Sequence, residues 1–395
     1  MSTELRQTPL HARHEALGAS FTDFGGWSMP VRYTSDLAEH RAVREAAGLF
    51  DISHMAEFLV TGANAGQFLD YALAGRLSKL AIGKAKYSLV LADDGGIVDD
   101  VIVYRTGEDY FLVIANAGNR DAVAQAFAER AHRAPIAAAF TEGPSRSGGV
   151  TSFVHIEGAD EARIEDVTDQ FALIAVQGPR AEQILDETSA LEAADLDGLG
   201  YYAWRDGIFN GVPVLIARTG YTGEDGFELL IPNAQASPLW DALLAAGEPH
   251  GLVPAGLAAR DTLRLEAGMP LYGHELNRDI APAQAGLGRV VVMAKDDFIG
   301  KEGLAARDLT HAPVLVGLRA EGRRAGRAGY AVLDSNGAAI GEITSGALSP
   351  TLGHPIALAF VPPELAASGT PLLIDVRGTA VPATVTDLPF YRRTK

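Results

Sequence analysis

Asp99 and Asp100 are adjacent carboxylates in a segment whose pattern predicts a β-hairpin. Residues 86–92 and 97–104 are rich in β-branched, aromatic and other apolar side chains, and an Asp-Asp-Gly-Gly sequence at 93–96 separates them. An Asp/Gly cluster between two such runs is typical of a tight hairpin turn. Successive side chains of a strand point to opposite faces, so Asp99 and Asp100 must face in opposite directions.

The register of this hairpin predicts the neighbours of each aspartate. We expect the turn to close with Ala92 opposite Ile97. That pairing places Tyr87 and Tyr104 on the same face as Asp100, within roughly 7 Å. A carboxylate between two phenols is a candidate functional site. The alternative is structural: one aspartate ends the hairpin in solvent, and the other only accepts a hydrogen bond from a tyrosine.

The composition is that of a globular protein large enough for two or three domains. Its 395 residues are 47% hydrophobic, and no uninterrupted apolar run reaches the length of a membrane span. Residues 1–15 carry charges and histidines instead of the apolar stretch of a signal peptide. We therefore expect a cytoplasmic protein that does not cross a membrane.

The charge and the cysteine count exclude several classes of function. The chain has no cysteine, which rules out disulfides, thiolate metal ligands and cysteine nucleophiles. Its formal net charge of -17 opposes binding to nucleic acid or to an anionic membrane, so an anionic ligand would need a local cluster of arginines. The sequence has neither a Rossmann glycine motif nor a P-loop, so we expect no nucleotide cofactor.

Two regions of the chain predict related α+β units. The region at 63–130 combines a helix at 63–74, the hairpin, a third strand at 110–115 and a helix at 120–130. The region at 171–217 has strands at 171–177 and 201–217, the latter folded across an Asn-Gly turn, and repeats the same arrangement.

The remaining segments predict a strand-rich domain and a loop. From residue 314 to residue 385 short apolar runs alternate with turns and almost no helix, which predicts a small β-barrel or sandwich. The Gly/Ser-rich residues 143–149 predict a surface loop near a domain boundary.

Other polar residues have a structural and a functional interpretation. His54 lies among apolar residues and is interpreted as a core or hinge histidine, while His11 and His14 are interpreted as surface residues. Arg260 and Arg264 lie four apart on a predicted helix. This spacing gives either a solvated charged face or a clamp for an anion.

Six segments, in the same order along the chain, resemble the T-protein family of the glycine cleavage system. The resemblance extends from residue 8 to residue 392 and is carried by residues 24–30, 51–55, 95–100, 218–228, 259–266 and 344–353. A single short match would be weak, whereas six in register are specific.

The resemblance implies an α+β fold with three domains. In this family two related α+β domains and a C-terminal β-barrel form a cloverleaf around a central tetrahydrofolate channel. The first two domains are then discontinuous: residues 1–51 with 145–250, and residues 52–144 with 251–297. Residues 298–395 form the barrel. This agrees with the two α+β units and the strand-rich end of the chain.

The resemblance also implies an enzyme, an aminomethyltransferase of one-carbon metabolism and glycine catabolism. It would transfer the one-carbon unit from the aminomethyl-lipoyl arm of H-protein to tetrahydrofolate, with release of ammonia and dihydrolipoyl H-protein. Tetrahydrofolate is a co-substrate, and no metal or nucleotide is implied. The family's catalytic aspartate matches Asp100. Its folate-binding residues match Tyr87, Tyr104, Asn116, Tyr221, Glu228, Arg260 and Arg392.

Three alternatives keep some of these features. A tetrahydrofolate-dependent demethylase on the same fold would take its carbon from a small methyl donor. A folate-binding maintenance protein of the same superfamily would need a cysteine-containing motif, which this chain lacks. A binding module without a cofactor would not bind tetrahydrofolate.

Overall fold

The structure is a computed structural model that describes residues 4–141 and 161–393. Its helices are α1 (His11–Ala16), α2 (Asp36–Glu45), α3 (Ala65–Ala72), α4 (Arg120–Arg133), α5 (Ala181–Glu187), α6 (Ala236–Gly247), α7 (Leu257–Glu266) and α8 (Lys301–Ala306). Its strands are β1 (Ser20–Phe24), β2 (Trp27–Arg32), β3 (Ala47–Asp51), β4 (Ala56–Thr61), β5 (Ala85–Leu91), β6 (Ile97–Gly107), β7 (Tyr110–Ala115), β8 (Ala138–Thr141), β9 (Ala162–Asp166), β10 (Phe171–Gln177), β11 (Leu191–Ala193), β12 (Trp204–Phe209), β13 (Val212–Ala217), β14 (Gly226–Pro232), β15 (Leu252–Pro254), β16 (Val314–Ala320), β17 (Ala331–Leu333), β18 (Ala339–Leu348), β19 (Pro355–Val361), β20 (Pro371–Val376) and β21 (Thr379–Thr386). The predicted loop at 143–149 lies outside the described residues.

The first α+β unit is built on a sheet with the strand order β11-β12-β13-β14-β10-β3-β15. Its outer face packs against α5 and α6 through Ile184, Leu239 and Trp240, which are fully buried. Strand β10 is apolar along almost its whole length because both of its faces are covered.

The second α+β unit has the strand order β5-β6-β7-β4-β9-β8. Helices α3 and α4 cover its outer face. Phe127 of α4 contacts Phe58 of β4 and Phe68 of α3 with ring centroids 5.5 and 6.1 Å apart. The apolar stripes of both helices thus bury the face of the sheet that points away from Asp100.

The inner faces of the two sheets pack against each other. Phe50, Leu173 and Leu230 from the first sheet share one buried cluster with Tyr104 and Ile114 from the second. Each sheet therefore has one face on its own helices and one face toward the other sheet. Any polar side chain on one of these inner faces therefore lies between the two units.

The C-terminal strands form a closed barrel in the order β16-β19-β18-β17-β20-β21. The strand pattern of the sequence fits either a barrel or a sandwich, and the structure shows a barrel. Glu266 at the end of α7 joins it to the other units. This carboxylate accepts hydrogen bonds from Ser349 and from the Thr351 hydroxyl at 2.8 Å, both in the β18–β19 turn, and from Arg44 Nη2 of α2 at 2.7 Å.

Two short strands lie in a different sheet from the one that the predicted boundaries imply. Strand β9 pairs with β4 in the second sheet, whereas the predicted boundaries place residues 145–250 in the first unit. Strand β15 pairs with β3 in the first sheet, whereas the predicted boundaries place residues 251–297 in the second unit. Both are short and pair with strands about 100 or more residues away in sequence, which local patterning does not encode.

Candidate active site

A cavity of about 350 Å³ lies between the inner faces of the two sheets. It is lined by Phe24, Ile52, His54, Met55, Tyr87, Asp100, Val101, Ile102, Tyr104, Ile114, Asn116, Leu173, Tyr202, Gly220, Tyr221, Glu228, Arg260, Met269, Pro270, Leu271, Tyr272 and Leu287. Six of the seven predicted folate-binding residues are among them, together with Asp100. Most of the wall is apolar, with a few polar groups, as expected of a site for a small organic ligand.

Asp100 is partly buried in the wall of this cavity, on β6. The hydroxyl of Tyr87 on β5 donates to its Oδ2 at 3.0 Å. Asn116 follows β7 and lies beside Asp100, and its Nδ2 donates to Oδ1 at 2.8 Å. Burial raises the pKa of Asp100, while these two hydrogen bonds lower it. The predicted contact between a tyrosine and one aspartate is therefore present.

The hairpin register is as predicted beside Asp100 but not at the turn. Leu89 lies opposite Asp100, as the prediction requires. At the turn, however, Leu91 pairs with Ile97, where the prediction placed Ala92. The ladder shifts by one residue at a bulge after Val90. The shift lies on the turn side of the Val90–Asp99 pair, so the pairs from there to Ala85–Tyr104 keep the predicted register.

Asp99 points to the opposite face and is fully buried. Its carboxylate accepts three hydrogen bonds: from the backbone N–H of Asn116 at 3.0 Å, from Nδ2 of Asn116 at 2.8 Å and from Nδ2 of Asn119 at 2.6 Å. Burial raises the pKa of Asp99, while the hydrogen bonds from Asn116 and Asn119 lower it. Asp99 therefore does not end the hairpin in solvent, which contradicts the structural alternative.

Glu228 lies on β14, on the first-sheet side of the cavity. Its Oε2 accepts hydrogen bonds from Thr219 Oγ1 at 2.5 Å and from the Tyr104 hydroxyl at 3.5 Å. These contacts fix the carboxyl and leave Oε1 for a ligand. Burial raises the pKa of Glu228. Tyr104 shares the face of Asp100, as predicted, but its hydroxyl turns to the first sheet.

Arg260 and Tyr221 form a stacked pair in the cavity wall. The guanidinium of Arg260 lies 4.8 Å from the ring centroid of Tyr221, a cation–π contact. Arg264, one turn further along α7, is buried and pairs with Glu275 at 3.0 Å and with Ser345 at 2.7 Å. The predicted solvated face and the two-arginine clamp are therefore both wrong, because only Arg260 reaches the cavity.

Arg392 lies outside this cavity. It lines an adjoining pocket of about 360 Å³ with Tyr201, Gly223, Glu224, Ala267, Met269, Pro389, Tyr391 and Arg393. The two spaces share Met269. The Arg392 side chain is exposed, and its Nη2 donates to the Leu388 carbonyl at 3.3 Å. Arg392 is thus next to the cavity but separate from the other predicted residues.

The structure departs from the predicted environments of both His54 and His14. His54 is buried, but it also lines the cavity, with its ring edge against Phe24 at 5.5 Å. Burial lowers the pKa of His54 to about 4, and its Nδ1 has no hydrogen-bond partner in the described chain. His14 is fully buried and pairs with Asp51 at 2.8 Å, so its surface assignment is wrong.

Several cavity residues carry no local sequence signal. Tyr272 and Leu287 lie in a segment without regular secondary structure, so periodicity could not assign them to a face. Tyr202 precedes β12 and has a left-handed backbone, with φ of 57°. A non-glycine residue with positive φ is uncommon, but its presence cannot be inferred from sequence.

Comparison with known families places this cavity in context. The model of the GCVT N-terminal domain matches residues 10–295, and that of the glycine cleavage T-protein C-terminal barrel domain matches residues 314–392. The chain belongs to the glycine cleavage T-protein family. The T-protein assignment confirms the fold and the family that the six sequence segments predicted.

Individual T-protein relatives match along the whole chain. An aminomethyltransferase of Cutibacterium acnes is 52% identical over 397 residues, covering 99% of this chain and 100% of the relative. One of Saccharopolyspora erythraea is 52% identical and covers 98% of both. The crystal structure of the glycine cleavage system aminomethyltransferase T from Bartonella henselae has a TM-score of 0.84 and 34% identity, and covers 99% of this chain and 100% of that chain.

This T-protein is therefore an aminomethyltransferase by family, and the demethylase alternative is not favoured. Residues 4–141 and 161–393 contain no group of three or more histidines and carboxylates placed to hold a metal ion. No helix in these two ranges is long and apolar enough to cross a membrane.

Proposed function

We propose that the cavity binds tetrahydrofolate next to the aminomethyl-lipoyl arm of H-protein, and that Asp100 accepts a proton during transfer of the one-carbon unit. One observation carries this proposal: Asp100, held by Tyr87 and Asn116, shares an apolar cavity with Glu228. Two carboxyls on different walls can bind and activate different parts of one ligand.

The cavity residues fit a reduced pterin. Its ring N–H and amino group form an edge with two donors, which suits the acceptor Glu228. Tyr87, Tyr104 and Tyr221 supply flat apolar walls with polar tips. Arg260 brings positive charge into a protein of net charge -17 and suits the anionic side of folate.

Arg392 is proposed as a second cation for the anionic side of folate. It lines the adjoining pocket, which meets the main cavity at Met269. This position supports a contact with a part of the ligand that extends beyond the pterin.

The net change at the one-carbon unit defines the task of Asp100. The methylene carbon gains bonds to N5 and N10 of the folate and loses its bonds to the amine nitrogen and the lipoyl sulfur. Two protons leave the folate nitrogens and end on ammonia and on the dihydrolipoyl thiol. Asp100 is proposed to accept the first of these protons and to stabilise the positive charge that develops on the methylene carbon.

Typical rate enhancements separate the expected contribution of Asp100 from that of substrate binding. General-base catalysis typically contributes about 10²–10⁴-fold, or roughly 3 to 5.5 kcal/mol of barrier. The larger remaining part of the rate enhancement must come from holding two substrates in reactive contact. The rigid walls of the cavity serve this purpose, because strands from both sheets supply them.

The variant Asp100→Asn tests the role of the carboxylate. We expect tetrahydrofolate binding, measured by isothermal titration calorimetry, to persist, and turnover with lipoylated H-protein to fall by about a hundredfold or more. Asp93→Asn is the matched control, since Asp93 lies in the same hairpin but is exposed and pairs with Arg133. Wild-type turnover of Asp100→Asn would contradict the proposal.

The donor is tested separately from the aspartate. Purified enzyme should release ammonia with aminomethyl-lipoyl H-protein and should show no comparable turnover with small sulfonium, aryl ether or N-methyl donors. Saturable binding of tetrahydrofolate would exclude a module without a cofactor. The cytoplasmic location stays a prediction.

A further inference from the structure

Asp99 is a buried carboxylate behind the cavity wall that the proposed reaction does not use. It has no exposed surface and does not line the cavity. The Asn116 side-chain amide nevertheless connects it to Asp100, because Nδ2 lies 2.8 Å from Oδ1 of both aspartates. The two carboxyls therefore share one donor group and cannot change their protonation independently.

The hydrogen bonds of Asp99 suit only an ionised carboxylate. Its partners, the backbone N–H of Asn116 and the side-chain amides of Asn116 and Asn119, are all donors. A protonated carboxylic acid would add a fourth hydrogen and leave it without an acceptor, which is costly in a buried position.

The hydrogen bonds of Asp100 suit both protonation states. The Tyr87 hydroxyl, 3.0 Å from Oδ2, donates to the carboxylate but can rotate and accept a hydrogen bond from the protonated acid. Asn116 donates to the other oxygen in either case. Of the two aspartates, Asp100 is thus the one that can gain and lose a proton without leaving a group unpaired.

No cation is among the main influences on the pKa of Asp99 or Asp100 within residues 4–141 and 161–393. Phenols from four different segments face the pair, those of Tyr87, Tyr202, Tyr221 and Tyr272, and the cation Arg278 lies beside Tyr272. The charge of Asp99 therefore acts on Asp100 without a counter-ion between them.

We propose that Asp99 is a positioning residue: a permanently ionised carboxylate that orients the Asn116 amide and makes Asp100 the stronger base. This inference deepens the proposed function and rests on Asp100 as the proton acceptor. Burial raises the pKa of Asp100 above that of a free aspartate, and an ionised neighbour that shares its Asn116 donor acts in the same direction. A raised pKa matches the task of accepting a proton from a weakly basic amine.

The pH dependence of kcat/KM in Asp99→Asn tests whether the charge of Asp99 acts on Asp100. Without the neighbouring charge, the acid limb of kcat/KM should move to lower pH by about one pH unit or more. The KM for tetrahydrofolate should change by less than about threefold, because Asp99 does not touch the cavity. Glu57→Gln is the control: Glu57 is an equally buried carboxyl in the same sheet that contacts neither aspartate.

An unshifted acid limb in Asp99→Asn, or an equal shift in Glu57→Gln, would overturn the proposal. If Asp99→Asn does not fold, carboxyl carbon NMR of the wild-type enzyme gives the same answer. The signal that disappears in Asp100→Asn should titrate above the usual aspartate range, while that of Asp99 should stay at the ionised position. A protonated Asp99 at neutral pH would contradict the inference. This titration does not depend on turnover, so it is separate from the test of Asp100 in catalysis.

Discussion

Asp100 and Glu228 lie in the same cavity, yet their hydrogen bonds suit them to the different roles proposed for them. Asp100 is held by a phenol and an amide from its own sheet, and its contacts can adapt to a proton. Glu228 is held through one oxygen by Thr219 and Tyr104, and its other oxygen is left for a ligand. The hydrogen bonds that each carboxyl oxygen already accepts therefore determine the role proposed for that residue.

Glu228→Gln should weaken binding of tetrahydrofolate without disturbing the fold. The amide can keep its contact with Thr219 but loses the charge that strengthens hydrogen bonds from the pterin, so the Kd should rise about 10- to 100-fold. Isothermal titration calorimetry measures this directly. Glu192→Gln, an exposed residue of the same sheet, should bind as the wild type does. Equal affinity of the two variants would contradict the role of Glu228.

Single residues were predictable where their partners are local. The hairpin alternation is sufficient to pair Tyr87 with Asp100, since both lie within one short segment. The sequence predicts a surface position for His14 and either a solvated face or an anion clamp for Arg264, because it does not reveal their buried partners Asp51 and Ser345, which are 37 and 81 residues away. Local pattern cannot distinguish a charged residue with a distant buried partner from a surface charge.

The hairpin that carries Asp100 is held at its turn by a segment from elsewhere in the chain. A Cβ atom on Gly96 would lie 1.8 Å from the carbonyl oxygen of Arg278. The backbone N–H of Ile97 donates to the Asn277 carbonyl at 3.1 Å, and the Tyr272 hydroxyl donates to the Ile97 carbonyl at 3.2 Å. These contacts fix the start of β6, three residues before Asp100.

Gly96→Ala should displace this segment and loosen the hairpin. We expect a loss of about 1–3 kcal/mol in the free energy of unfolding and a lower kcat, because overpacking shifts the strand that carries Asp100. Chemical denaturation and steady-state kinetics measure the two effects. Gly198→Ala is the control, since the nearest atom to its Cβ is 3.7 Å away and its φ is not positive. Identical stability of the two variants would contradict this contact.

Helix α7 connects all three parts of the molecule. Its Arg260 lines the cavity, Arg264 reaches Ser345 of the barrel, and Glu266 binds the barrel turn at Thr351 and Arg44 of α2. The sequence predicted the helix and its charges, but not which charge faces which unit. That division depends on the packing of three bodies, which no local pattern contains.

Glu266→Gln should destabilise the whole protein in a way that depends on pH. Hydrogen bonds from His40 and Ser349 and the charge of Arg44 outweigh the effect of burial and lower the pKa of Glu266 from 4.5 to about 2. The carboxylate therefore contributes about 3 kcal/mol at neutral pH, present above pH 4.5 and lost as the pH falls to 2.

Thermal unfolding of the wild type and of Glu266→Gln between pH 2 and pH 7 measures this contribution. The gap in Tm between wild type and Glu266→Gln should narrow below pH 4.5. The exposed Glu342 of β18 supplies the control variant Glu342→Gln, which should follow the wild type at every pH. A gap that is constant with pH would show that the charge of Glu266 is not its source.

The chain crosses between the two sheets in a way that sets an order of synthesis. Strand β3 is made early, but its neighbours β10 and β15 follow only after the second sheet, whose described strands end at Asp166. On the ribosome, then, the sheet with Asp100 has all of its described strands before the sheet with Glu228 does, and the barrel comes last. Since domains generally fold as units while they emerge, Asp100, the proposed proton acceptor, is in place before the wall that carries Glu228 exists. The nascent chain therefore cannot form its cavity until Glu228 and β14 have been synthesised.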